Sequence, residues 1–229
     1  MIERPSTNHD ARTAPVSILV LHYTGMQSAE AALERLADRD AKVSCHYVVL
    51  EDGSMVSMVP ENRRAWHAGV SRWRGATDIN ARSVGIEIVN GGHDFGLPPF
   101  PDEQIAAVIA LSLQIIARHS IAPGNVVGHS DIAPERKTDP GERFPWRRLA
   151  EAGVGLFPGA PADGAPQSER EAGRLLEEIG YGISWDGAGP ADLPTVLAAF
   201  QRRYRPSKVD GVLDAETAGL IAAVHGLLA

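Results

Sequence analysis

The sequence predicts an α/β protein, a central β-sheet with helices packed on it, followed by a small three-helix domain. Three observations predict it. "VSILVLHY" (16–23) is a near-continuous apolar run, as in a strand buried on both faces. "PDEQIAAVIALSLQIIARHS" (101–120) has the spacing of a long amphipathic helix. "FPGAPADGAPQ" (157–167) is mostly Gly, Ala and Pro, with almost nothing to bury, and marks a linker between a domain at 1–156 and a second at 168–229.

The elements follow in order. "SAEAALERLADRD" (28–40) opens on Ser28, a good N-cap, and is rich in helix formers. "HYVVLEDGSMVSMV" (46–59) places Asp52-Gly53 between two apolar runs, a hairpin signal. "SVGIEIV" (83–89) is a further strand, interrupted by Glu87. In the 101–120 helix, Ile105, Val108, Ile109 and Ile116 recur at helical spacing, and Leu111, Leu113 and Ile115 widen the face. "NVVGH" (125–129) is a short strand. After the linker come helices at "SEREAGRLLEEIGYG" (168–182), "DLPTVLAAFQRRYR" (192–205) and the end of "VDGVLDAETAGLIAAVHGLL" (209–228), the last with Asp214 as N-cap. About 60 residues suffice for a three-helix core.

Composition narrows the function. The 229 residues carry a net charge of -7, which disfavours nucleic acid or anionic lipid as partner. No apolar run approaches the roughly 20 residues that span a bilayer. The N-terminus "MIERPSTNHDARTAP" is polar and shows no secretory signal, so a cytoplasmic location is expected, with the periplasm as the alternative. One cysteine, Cys45, excludes an intrachain disulfide and a Cys-rich metal site. The oligomeric state is not legible.

The chemistry concentrates in "GHSDIAPERKTDPG" (128–141) and at strand ends. His22 ends the first apolar strand, and His129 ends another. Asp139 follows ten residues on, in a loop stiffened by Pro134 and Pro140. Two histidines and a carboxylate with an open position form a usual catalytic zinc set. A strand-end histidine also serves often as a plain hydrogen-bonded structural residue, and His46, His67, His93 and His119 are rivals. Glu87 inside an apolar strand is costly to bury unless it is paired, for instance with Arg82, or used as a proton acceptor beside a metal. Lys137 is either a solvated lysine or an oxyanion partner carried by the same loop as Asp139. "RAWHAG" (64–69) offers Trp66 and His67 either to a cleft or to the core. Asn80 and Asn90 are polar contacts or turn formers.

"LVLHYT", "SCHYVVLEDGSMVSMVPENRRAWHAG", "NARSVGIEIVN" and "VVGHSDIAPERKTDPGERFPW", in this order, resemble the zinc-dependent N-acetylmuramoyl-L-alanine amidases of the type 2 class, the AmpD/AmiD-like group. The match covers most of 16–149. The tail, roughly 168–228, resembles a three-helix peptidoglycan-binding domain. The resemblance implies a mixed central sheet and one Zn2+ per chain on His22, His129 and Asp139. It also implies Glu87 and Lys137 as catalytic residues, and Trp66, His67 and Asn80 along the substrate groove. The implied reaction is hydrolysis of the muramic acid–L-alanine amide in peptidoglycan or muropeptides. A non-catalytic peptidoglycan receptor and a zinc peptidase acting within the stem peptide are the rival readings, the second weakened by the absence of an H-E-x-x-H motif.

Overall fold

The computed structural model of the chain describes residues 1–163, 165–185 and 191–228. Gly164 of the linker, residues 186–190 and Ala229 of the C-terminal segment lie outside the described residues. Eight strands and eight α-helices are found among the described residues. The strands are β1 (Ile2–Glu3), β2 (His9–Ala11), β3 (Ile18–Tyr23), β4 (Tyr47–Val49), β5 (Met55–Ser57), β6 (Arg63–Ala65), β7 (Ser83–Ile88) and β8 (Val126–Gly128). The helices are α1 (Ala29–Ala37), α2 (Ile79–Arg82), α3 (Asp102–His119), α4 (His129–Ile132), α5 (Trp146–Glu151), α6 (Glu169–Ile179), α7 (Leu193–Tyr204) and α8 (Ala215–Gly226).

Six strands form one sheet in the order β1-β5-β4-β7-β3-β8, and β2 pairs with β6 in a separate ribbon. The sheet is mixed. β4 and β5 are antiparallel, and every other pair in the sheet is parallel. The β4–β5 reversal uses the Asp52-Gly53 turn, with Gly53 at φ 80 and the Asp52 carboxylate accepting the Ser54 N–H. No helix is long and apolar enough to cross a membrane among the described residues.

Alternation along β3 divides the molecule. Leu19 and Leu21 face a cluster with Ile86, Ile88 and the inner stripe of α3: Ile105, Val108, Leu111 and Ile115. Ile18, Val20 and, by the same alternation, His22 face the opposite side. Leu113 departs from the sequence expectation, since it lies round the helix from that stripe and is 39% exposed. Gln104 is buried instead, its amide donating to the carbonyls of Val49 and Val89 at two strand ends.

On the second face, α1 covers β4 and β5 through Leu33 and Leu36, which pack with Cys45, Val48 and Met58. The helices α6–α8 do not stand apart. Leu176, Ile179, Tyr181, Val196 and Phe200 share one apolar core with Val20, Trp73, Val127 and Ile132. Main-chain bonding reinforces that contact, with the Arg74 N–H donating to the Gly180 carbonyl at 2.9 Å.

The polar N-terminal stretch, to which the sequence assigned no element, supplies β1, β2 and a structural cation. Arg12 donates to the carbonyls of Glu61, Asn80, Ala81, Arg63 and Ser83, tying β6 to the start of β7.

Candidate metal centre and active site

His22 reaches the site because β3 is paired in parallel with β7, which sets it directly opposite Glu87. Residues opposite one another in a ladder share a face, so both side chains rise from the same side of the sheet. His129 arrives from the other neighbour, since β8 pairs with β3 and runs straight into the single turn of α4. Asp139 closes the group from the following loop. The Ser130 N–H donates to the Asp139 carbonyl at 2.9 Å and holds the two ends of that loop together.

Three donor atoms converge. His22 Nδ1 lies 3.0 Å from His129 Nδ1 and 2.9 Å from Asp139 Oδ2, and His129 Nδ1 lies 3.1 Å from the same oxygen. All three residues are buried. The neighbouring hydrogen bonds fix the tautomers. Ser83 spends its only proton on the Ile79 carbonyl at 2.7 Å, so His67 Nε2 must donate to Ser83 Oγ. His67 Nδ1 is then an acceptor, and it takes the Nε2–H of His22 at 3.0 Å. His129 donates its Nε2–H to the Ala68 carbonyl at 3.1 Å. Both ligand-side Nδ1 atoms are left as lone pairs, aimed with a carboxylate oxygen at one point.

Such an arrangement is repulsive by itself and suits a cation. Two imidazoles and a carboxylate match a borderline-soft divalent metal with a position left open. Tetrahedral donors at zinc distances stand about 3.3 Å apart, a few tenths of an ångström beyond the edges seen here. Protonation states agree. Burial, and then His129, pushes His22 down to about 4, so its ring is neutral near pH 7.

Glu87 and Lys137 join the three donor residues in a cavity of about 390 Å³, whose walls also include Tyr23, His93, Arg136 and Thr138. Burial, and then Asp139, raises the Glu87 carboxyl well above the usual carboxylate range. Its Oε2 is out of water and has no hydrogen-bond partner among the described residues. The alternative pairing with Arg82 is not formed among the described residues, where the Glu87 Oε2 and the Arg82 Nε are both buried without a partner.

The three residues expected along a substrate groove are placed differently from one another. His67 lines the cavity but is buried, with both ring nitrogens engaged. Asn80 is buried away from the cavity, its Oδ1 accepting the N–H groups of His67 and Ala68. Trp66 donates its indole N–H to Asp10 on the β2–β6 ribbon. Gly85 explains the approach of His67 to the sheet, because a Cβ there would lie 2.6 Å from the imidazole.

The rival histidines are not among the three converging donors. His46 accepts the Gly85 N–H, His119 pairs with Glu61, and His93 meets Glu142. The sequence reading missed Tyr23 and Thr138, whose hydroxyls lie 3.1 Å apart at the cavity wall, with His93 Nδ1 2.9 Å from the Tyr23 hydroxyl. Their adjacency to His22 and Asp139 was the available signal.

Comparison with known proteins agrees with this geometry. A family model described as N-acetylmuramoyl-L-alanine amidase matches residues 12–142. The N-acetylmuramoyl-L-alanine amidase AmiD of Escherichia coli (strain K12) is 40% identical over 230 residues, covering 91% of this chain and 82% of that protein. A solved complex of the E. coli AmiD amidase with the substrate anhydro-N-acetylmuramic acid-L-Ala-D-gamma-Glu-L-Lys superposes with a TM-score of 0.83. That pair is 38% identical and covers 95% of this chain and 92% of the other. AmpDh3 of Pseudomonas aeruginosa, solved with anhydromuramic pentapeptide, gives 0.82 at 33% identity, covering 98% and 96%.

Proposed function

The chain belongs to the N-acetylmuramoyl-L-alanine amidase family, and on that premise we propose that it hydrolyses the amide between N-acetylmuramic acid and L-alanine in muropeptides, using zinc held by His22, His129 and Asp139. The observation that carries this reading is Glu87. It is a carboxylate opposite His22 in the β3–β7 register, with one oxygen unpartnered beside the three donors. Zinc, when bound, supplies Lewis acidity to the scissile carbonyl and a positive charge that favours the ionised form of Glu87.

The remaining work falls to the chain itself. Glu87 takes a proton from the attacking water and returns it to the departing L-alanine nitrogen. Lys137 faces the carbonyl oxygen as it becomes an oxyanion. His67 orients His22, and Asn80 orients His67 through the main chain. The division into a catalytic part at 1–156, a linker at 157–167 and a peptidoglycan-binding part at 168–229 belongs to the same proposal. The helical part would keep the enzyme near polymer.

The test is mass spectrometry of purified muropeptides, anhydro and reducing, incubated with zinc-loaded protein and with a chelator control. Chelator-sensitive release of a stem peptide beginning at L-alanine supports the proposal. An internal peptide cut would instead identify a peptidase, and unchanged muropeptides at full zinc occupancy a receptor.

A further inference from the structure

We infer that the C-terminal helices are part of the metal centre's framework, with Arg203 and Tyr181 acting as positioning residues for His129 through Asp131. The inference rests on the reading of His22, His129 and Asp139 as metal ligands. It departs from the view of residues 168–229 as a tether for polymer alone.

The argument starts at Asp131, in the same helical turn as His129 and 1% exposed. A carboxylate so deeply buried needs its lone pairs occupied. Three donors occupy them. The Gly128 N–H, immediately before the ligand, donates to Oδ2 at 2.8 Å. Arg203 Nη1 of α7 donates to the same oxygen at 2.8 Å, and the Tyr181 hydroxyl donates to Oδ1 at 2.7 Å. Two of the three therefore come from beyond the linker.

Those two donors are themselves fixed. Arg203 is 4% exposed, and its guanidinium stacks over the Trp146 ring at 4.0 Å. Tyr181 meets the Trp73 ring edge-on at 5.1 Å. Apart from them, the turn is held at Ile132, whose side chain lies in the apolar core and whose carbonyl accepts the Arg72 N–H at 2.8 Å, and by the His129 ring on the Ala68 carbonyl. A single turn of four residues is too short to hold its own shape, and its direction is set by tertiary contacts. The same turn carries the Ser130 N–H that meets the Asp139 carbonyl. Displacing Asp131 therefore moves His129 and loosens Asp139 together. A tether needs no such connection, and a flexible one would avoid it.

The experiment uses the full chain. Zinc affinity is measured by chelator competition, and kcat and KM are measured on a small soluble muropeptide at saturating and limiting zinc. The variants are Arg203→Met, Tyr181→Phe and Val196→Ala; the last loosens the C-terminal core without touching Asp131. Tyr181→Phe and Arg203→Met are expected to weaken zinc binding by about 10-fold and to lower kcat at limiting zinc with KM unchanged. Val196→Ala is expected to lower Tm while keeping wild-type zinc affinity. If Arg203→Met does not fold, Tyr181→Phe, which removes one hydroxyl, decides. Wild-type zinc affinity in Tyr181→Phe overturns the inference, as does an equal loss in Val196→Ala at matched Tm. A wild-type chain that takes up no zinc, or takes it up equally well after His129→Ala, overturns the ligand assignment instead.

Discussion

The Nε2 atom of His22 stands 3.0 Å from Nδ1 of His67, and the Ser83 hydroxyl on the far side of His67 leaves only one direction for the proton between them. His67 is thus the acceptor that turns the His22 lone pair toward Asp139. Removing that acceptor with His67→Phe is expected to weaken zinc binding by about 10- to 100-fold. His67→Asn, whose Oδ1 can stand near the Nδ1 position, should recover part of the loss. Chelator competition on both variants is the check.

Glu87 has a different signature. Glu87→Gln keeps the shape and removes the base, so zinc stoichiometry should stay at the wild-type value while kcat falls by about 10²- to 10⁴-fold. A variant that loses zinc along with activity would place Glu87 among the ligands.

Lys137→Met removes the cation from the loop that also carries Asp139 and leaves the three donor residues in place. The expected result is a fall in kcat of about 10²- to 10³-fold with metal content unchanged. Steady-state kinetics on one soluble muropeptide, paired with metal analysis, measures both.

Gly85→Ala tests the close approach of His67 to β7. The new methyl would lie 2.6 Å from the imidazole, which must shift or tilt. A stability loss of about 1–3 kcal/mol is expected, together with weaker zinc binding. Denaturant unfolding with and without zinc separates the two effects.

His46 gives a pH dependence that owes nothing to metal. Burial pushes its pKa down to about 4, while Nδ1 accepts the Gly85 N–H and the Arg63 carbonyl takes the other ring N–H. The unfolded chain binds this proton more readily, with a pKa near 6.5. The contribution of neutral His46 is therefore complete above about pH 6.5 and shrinks as the pH falls toward 4, by up to about 3 kcal/mol. Urea midpoints measured across that range should fall more steeply in the wild type than in His46→Asn.

How much of this was legible in the sequence depended on range. β3 and β7 announced themselves through apolar runs, and Ser28 and Asp214 cap their helices as expected. Strand ends and a proline-bound loop made His22, His129 and Asp139 candidates among several histidines, and the family resemblance singled them out. Leu113 was misjudged because counting apolar residues on a helix does not say where the stripe is centred. The Arg12 contacts, the Asp131–Arg203 pair and the role of His67 were not legible. Each joins residues tens of positions apart through polar atoms, and such pairing leaves no period in the chain. Asn80 suggested a groove contact from its segment, yet its amide serves the backbone at 67 and 68.

The bond from the Ser130 N–H to the Asp139 carbonyl closes the segment between two of the donor residues into a ring. An ion held as proposed would, once it had met His129, find Asp139 as an intramolecular neighbour, at an effective concentration fixed when the chain folded. If one of the two bonds breaks, the ring keeps the freed group within reach and recapture competes with escape. Closure of this segment therefore acts chiefly on residence time. It would slow exchange of the proposed ion even where the equilibrium constant is modest.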